Sequence, residues 1–191
     1  MTSWPNSIKF VDLFAGIGGL RLGFEQACQS LNFQPQCLLS SEINPDACHV
    51  YQQNFNQSPE GDMFKIAQLP PHDVLLAGFP CQSFSYAGKK KGFGDIRGTL
   101  FFEIMRLIDI NRPKVLIFEN VRGLISHDQG KTLETIKFEV EKRGYHFHYF
   151  ILNSVNFGLP QNRVRVFMIG ILEEDIKLDL ISDLGPKDSH S

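Results

Sequence analysis

The sequence predicts an α/β protein: an open, twisted, mostly parallel sheet with helices on both faces. Three observations carry that expectation. Short apolar runs alternate with longer segments of helical period along the chain. Several of those runs show no polar alternation, as strands covered on both faces require. A glycine-rich turn follows the first run and opens directly onto a helical segment.

The elements follow in order. Ile8–Phe14, Cys37–Ser41, Asp73–Ala77, Val115–Phe118, Phe147–Leu152 and Val164–Ile171 read as strands. Leu20–Gln29, Pro45–Asn54, Leu100–Asn111 and Lys131–Arg143 read as the helices between them. Pro45 suits a first helical turn, where its missing N–H is no loss; Pro113 ends the helix before it, and Gly144 caps the last one. Ligands of such a sheet sit beyond the carboxyl ends of its strands. Two segments break the alternation. Residues 78–98 are too long and too rich in Gly, Ser and Lys for a simple turn, which marks a functional loop. Residues 172–191 begin a new element and run into polar residues.

Composition narrows the class. A chain of 191 residues, 42% hydrophobic and 21% charged, is one globular domain's worth; disorder, collagen and coiled coil are excluded. At this size roughly 70% of the unfolded surface can be buried, so no disulfides are needed. The four cysteines make no CxxC pair and no apolar signal segment follows Met1. The expectation is a reduced, cytoplasmic protein without a metal site. Apolar stretches such as Val115–Phe118 are far too short to cross a bilayer. The net charge of −2 is unevenly placed: residues 173–191 contribute −4, leaving residues 1–172 at +2. Global charge therefore neither supports nor excludes a polyanionic partner.

A first constellation suits a nucleoside-like ligand. Asp12-Leu13-Phe14-Ala15-Gly16-Ile17-Gly18-Gly19 lets the backbone approach a ligand closely. A dinucleotide fingerprint would place glycine at position 21, where this chain has Arg21, which weakens a pyrophosphate reading. Glu42 ends the second strand, where an acid can take both hydroxyls of a ribose. Asp62 follows Gly61 near the expected end of the next strand, placed to accept from an exocyclic amine, and Phe14 offers a ring to a base. Taken singly, each acid reads better as a helix cap or an exposed charge; three features at successive strand ends favour a ligand.

A second constellation carries reactive groups. Gly78-Phe79-Pro80-Cys81-Gln82-Ser83-Phe84-Ser85 follows a strand and puts Cys81 at the mouth of the same crevice. Nucleophilic thiols occupy such partly exposed, polar places, whereas Cys28, Cys37 and Cys48 read as inert. Phe118-Glu119-Asn120-Val121 ends the next strand, so Glu119 is expected beside Cys81, with an environment able to hold a proton on its carboxyl for a ring nitrogen. Gln161-Asn162-Arg163-Val164-Arg165 puts two arginines on one side of a strand by its period of two.

In this order, these four motifs closely resemble the DNA cytosine-5 methyltransferase family of bacterial restriction–modification systems, from about Phe10 to Gly170. The resemblance implies a Rossmann-like, S-adenosylmethionine-dependent methyltransferase fold. It implies methyl transfer to C5 of a cytosine flipped out of double-stranded DNA, through a covalent bond between Cys81 and C6. By the same resemblance Glu119 is the acid on N3 and the amino group, Arg163 and Arg165 polarise O2, and Asn120 braces the cysteine loop. Phe14, Gly16, Gly18, Leu20, Glu42, Ile43, Asp62, Met63, Pro80 and Leu100 are the implied S-adenosylmethionine residues. The loop with Ser85, Lys89, Lys90, Lys91 and Arg97 would clamp phosphates and close over the flipped base.

The chain departs from that family after Gly170. A complete single-chain member continues into a target-recognition region and two further motifs, so residues 1–171 read as the catalytic domain and 172–191 as the start of a truncated or split connection. A second polypeptide carrying the missing region is the expected partner. The alternatives are an inactive fragment, a non-catalytic S-adenosylmethionine-binding module, or an RNA cytosine-5 methyltransferase.

Overall fold

Phe10, Val11 and Leu13 are fully buried in the first strand, β1 (Ser7–Leu13), because parallel strands flank it on both sides and helices cover both its faces. The computed structural model describes residues 6–80 and 100–172. The other strands are β2 (Gln34–Ser41), β3 (Val74–Ala77), β4 (Val115–Val121), β5 (His146–Asn153) and β6 (Val164–Ile171). The helices are α1 (Gly19–Ser30), α2 (Pro45–Phe55), α3 (Leu100–Asn111) and α4 (Lys131–Glu141). The sheet order is β2-β1-β3-β4-β6-β5. The first four strands are mutually parallel, and β6 enters antiparallel between β4 and β5.

Most boundaries agree with the sequence reading, and the differences have local causes. Strand β2 begins three residues earlier than expected, at Gln34, and contains Pro35. An edge strand tolerates a proline, since one of its sides has no ladder bond to lose. Strand β4 continues to Val121 because β6 pairs with it along its whole length. Pro45 opens α2 behind an Asn44 cap whose side chain accepts from the Asp46 and Ala47 amides. Arg112, before Pro113, turns into the left-handed region and ends α3, and Gly144 does so after α4 at φ 85°.

The two faces of the sheet carry separate cores. On one, Leu75, Ala77, Leu116, Phe118, Val166 and Met168 pack with Phe101, Ile104 and Ile136 of α3 and α4. On the other, Ile8, Phe10, Val74 and Leu76 pack with Leu20, Phe24 and Cys28 of α1. That second face is less covered over β4, β6 and β5, where Ile117, Phe167, Ile169 and Phe150 are half-buried. Cys28, Cys37 and Cys48 are free thiols. Among the described residues no helix is long and apolar enough to cross a membrane.

Candidate active site

The parallel pairing of four neighbouring strands ends in one row. Ser41 pairs with Leu13, Leu13 with Ala77, and Ala77 with Phe118. One residue further along stand Glu42, Phe14, Gly78 and Glu119, at the edge where an open α/β sheet receives ligands.

On the β1–β2 side the turn is shaped by backbone. Phe14, Gly16 and Gly18 take φ values of 56°, 54° and 89°. A Cβ on Gly18 would lie 2.0 Å from the Phe55 ring, so both the left-handed backbone and the close approach demand glycine there. The Gly16 amide donates to Glu42 Oε2 at 2.8 Å. Glu42 Oε1 accepts from the amides of Ile43 and Asn44 at 2.9 and 2.8 Å. A carboxylate has about four lone-pair positions, so one on Oε2 remains for an incoming hydroxyl. Leu20 is half-buried in the first turn of α1, and Ile43 is 73% exposed beside Glu42.

Asp62 corrects an expectation: no strand ends at it. The chain touches the end of β2 in a single parallel bridge, Ser41 with Glu60, and the Glu42 amide donates to the Glu60 carbonyl at 3.0 Å. Asp62 then caps a 3-10 turn, Met63–Lys65, by accepting from the Phe64 amide at 3.0 Å. The turn begins three residues after the bridge, so no ladder can grow. Asp62 still stands alongside the end of β2, and Met63 behind it is buried.

On the β4–β6 side the site is made by side chains. Glu119 pairs in register with Phe167, and Arg165 with Val121. Glu119 and Arg165 are therefore diagonal neighbours on one face, and their ion pair closes at 2.9 Å. The pair stays accessible, with about a quarter of each side chain exposed. Asn120 points to the opposite face, where it is buried. Its Nδ2 donates to the Phe79 carbonyl at 2.8 Å and its Oδ1 accepts from the Val121 amide at 2.9 Å. Phe79 immediately precedes Pro80 and Cys81, so this bond fixes the stem from which the cysteine loop departs. A Cβ on Gly78 would stand 3.6 Å from the Phe14 carbonyl and 3.7 Å from Glu119 Oε2, so this glycine joins the two halves.

Of the two arginines expected on one side of a strand, Arg165 lies within β6 and Arg163 immediately precedes it. Strand β6 starts at Val164, and Arg163 is exposed just before it, its amide bonded to Asn153 Oδ1 at 3.1 Å. Pro80 is exposed and Leu100 is half-buried against the core. Cys81, Ser85, Lys89, Lys90, Lys91 and Arg97 lie outside the described residues, as do residues 173–191.

Sequence reasoning missed a buried polar group beneath the glycine turn, formed by Asp12, Arg21 and Tyr51. Two signals for it were present: an acid inside an apolar strand, and an arginine where a dinucleotide fingerprint would have glycine.

This fold, with polar groups gathered at one row of strand ends, defines an open-sheet α/β protein. The sequence pattern of the C-5 cytosine-specific DNA methylases matches residues 8–190, and the chain belongs to that family. It is 56% identical over 183 residues to the Type II methyltransferase M.BanI of Aneurinibacillus aneurinilyticus, covering 96% of this chain and 43% of that relative. It is 46% identical to the Type II methyltransferase M.HhaI of Haemophilus parahaemolyticus, covering 85% of this chain and 48% of the relative. The chain thus spans less than half the length of these relatives. In structure it resembles S. pombe Dnmt2 methyltransferase, with a TM-score of 0.72 at 20% identity over 96% of this chain and 57% of that one. A putative DNA modification methyltransferase from an E. coli prophage gives a TM-score of 0.67 at 25% identity, over 86% and 46%. The Rossmann-like α/β methyltransferase fold expected from sequence is the fold observed.

Proposed function

We propose that this chain is the catalytic part of a DNA cytosine-5 methyltransferase of restriction–modification type, with residues 1–171 as catalytic domain and 172–191 leading toward a recognition region. The observation that carries the reading is the single row that sets the glycine turn and Glu42 beside the Glu119–Arg165 pair. Membership of the methylase family over residues 8–190 supports it.

The residues on the cofactor side fit S-adenosylmethionine. Glu42 keeps a lone-pair position for a ribose hydroxyl, Gly16 leaves open space above the turn, and Phe14 and Ile43 give apolar surface for a base. Leu20, Asp62, Met63, Pro80 and Leu100 complete the cofactor set that we assign, with Gly18 keeping the turn against α2. When bound, that cofactor supplies an electrophilic methyl group.

Cytosine C5 is a poor nucleophile. In this reading the Cys81 thiolate bonds to C6 and turns C5 into an enamine-like carbon that takes the methyl group. Loss of the C5 proton then expels the thiolate and restores the ring. Glu119 hydrogen-bonds N3 and the amino group and protonates the ring as charge develops. Arg165 holds the Glu119 carboxylate and, with Arg163, polarises O2. Asn120 anchors Phe79 and so sets where the Pro80–Cys81 stem begins. Ser85, Lys89, Lys90, Lys91 and Arg97 hold phosphates, a contact that carries no sequence information.

Base recognition belongs to polypeptide matching the remainder of the relatives' length, and a reduced, cytoplasmic setting is part of the reading. The test is transfer of labelled methyl groups to double-stranded DNA and to tRNA, by the chain supplied with the remaining region of the M.BanI relative. DNA labelling that disappears in Cys81→Ser, with S-adenosylhomocysteine binding retained, is the expected result. Full activity of Cys81→Ser, or transfer to tRNA alone, would overturn the reading.

A further inference from the structure

Beneath the glycine turn lies a buried polar relay that the mechanism above does not use. Arg21, at the third position of α1, is 8% exposed. Its Nε donates to Glu25 Oε1 at 2.7 Å, and its Nη1 donates to Tyr51 Oη at 2.9 Å and to Gln57 Oε1 at 2.7 Å. The guanidinium lies 4.1 Å from the centroid of the Phe55 ring. The fully buried Tyr51 hydroxyl donates in turn to Asp12 Oδ2, at a long 3.4 Å. There the relay stops. Asp12 is 1% exposed, and among the described residues its Oδ1 has no hydrogen-bond partner.

The relay grips the parts that shape the cofactor side. Tyr51 and Phe55 belong to α2, whose first turn follows Glu42 and whose Phe55 ring lies against Gly18. Asp12 sits two residues before the left-handed Phe14 on the strand that feeds the turn. Burial pushes the Asp12 carboxyl up to about 7, against the Tyr51 hydrogen bond and the Arg21 charge. The charged or titratable groups facing it are Arg21 and Glu25 from α1, Tyr51 from α2, and Cys37 and Glu42 from β2 and its end. Strand β3 presents Leu76.

We propose that Asp12 is a positioning residue for the cofactor turn: its ionised carboxylate, acting through Tyr51 and Arg21, holds α2 against Gly18, so that cofactor affinity rises with pH across neutrality. The inference rests on the reading that the glycine turn and Glu42 bind the cofactor. Two arguments fix its sign. An ionised acceptor shortens and strengthens the bond from Tyr51, because charge-assisted hydrogen bonds are about twice as strong as neutral ones. A ligand hydroxyl on Glu42 spreads the negative charge that opposes ionisation of Asp12, so binding releases a proton and tightens as pH rises.

The experiment titrates S-adenosylhomocysteine into the full chain by calorimetry between pH 6 and 8, for wild type, Asp12→Asn and Tyr51→Phe. A site that binds only when Asp12 is ionised gains up to about tenfold in affinity over that range. The wild type should show that gain, and both variants should lose most of it. Every other ionisable group is common to wild type and Asp12→Asn, so the difference reports the relay. Tyr51→Phe keeps the ring and serves if Asp12→Asn does not fold. A second readout needs no ligand. The acid is raised in the fold, so its protonated form favours the folded state, and that preference is lost as pH rises from about 4 through 7. Asp12→Asn should therefore gain thermal stability relative to wild type as pH rises from 5 to 8. A wild-type affinity that is flat with pH, or that parallels Tyr51→Phe, overturns the proposal alone. Absence of S-adenosylhomocysteine binding at every pH overturns the cofactor reading and the proposal with it.

Discussion

The two halves of the strand-end row are built on different principles. The half at β1 and β2 is closed by backbone: Glu42 receives three amide hydrogen bonds, and the Ala15 amide donates to the Ser41 carbonyl at 2.9 Å. The half at β4 and β6 is held by side chains: the Glu119–Arg165 pair on one face and Asn120 on the other. The first half is preorganised before any ligand arrives. The second presents an acid paired with an arginine, and Asn120 ties it to the Phe79 carbonyl at the start of the segment that leads to Cys81. Under the proposed function this division suits a site that keeps a cofactor on one side and admits a base on the other. The cofactor side needs fixed shape, and the base side needs charged groups that can change partners.

Substitutions on the two sides should therefore fail in different ways. The largest effect is expected at Glu119→Gln, which keeps the shape but cannot supply a proton. General acid catalysis contributes about 10²–10⁴-fold. Methyl transfer in the complemented assay should fall by that order, while S-adenosylhomocysteine affinity stays unchanged. A loss of cofactor affinity instead would erase the distinction between the halves.

Next in size is Glu42→Ala. Removing a charged hydrogen-bond acceptor costs about 1.5–3 kcal/mol, roughly ten- to a hundredfold in affinity. Calorimetry with S-adenosylhomocysteine checks this, and an unchanged dissociation constant would remove Glu42 from the site. Asn120→Ala sharpens the comparison through stability. It removes the buried Asn120 side chain's hydrogen bonds to the Phe79 carbonyl and from the Val121 amide, at a cost of about 1–3 kcal/mol. A lowered unfolding midpoint should accompany reduced turnover, with cofactor binding retained.

The smallest effect is expected at Gly78→Ala, where the two halves meet. A Cβ there makes only ordinary contacts, with the Phe14 carbonyl and Glu119, so stability should change by no more than about 0.5 kcal/mol. Gly18→Ala is the internal contrast. A left-handed alanine costs roughly 1–2 kcal/mol by itself, and the Phe55 ring must also move. Equal thermal shifts for the two alanines would mean that the turn is not shaped as described.

Periodicity and glycine placement were enough to read six strands and four helices, because apolar runs bounded by Gly and Pro are local signals. They also put Glu42 at the end of β2, and Glu119 where the parallel pairing of β4 stops, although β4 itself runs on to Val121. The motif order made the family legible, since Pro80-Cys81-Gln82 and Gln161-Asn162-Arg163-Val164-Arg165 join uncommon residue types in fixed spacing. What the sequence could not give depended on partners distant in the chain. The antiparallel entry of β6 between β4 and β5 brings Arg165 onto Glu119. Asp62 became a turn cap because only one residue pair there reaches β2. Asp12, Arg21 and Tyr51 lie 9 to 39 positions apart, and only the packing of α1 and α2 on β1 joins them. Local propensity is set by near neighbours, which a sequence displays. Hydrogen-bond closure and burial are set by which distant elements share a face, and only the tertiary structure decides that.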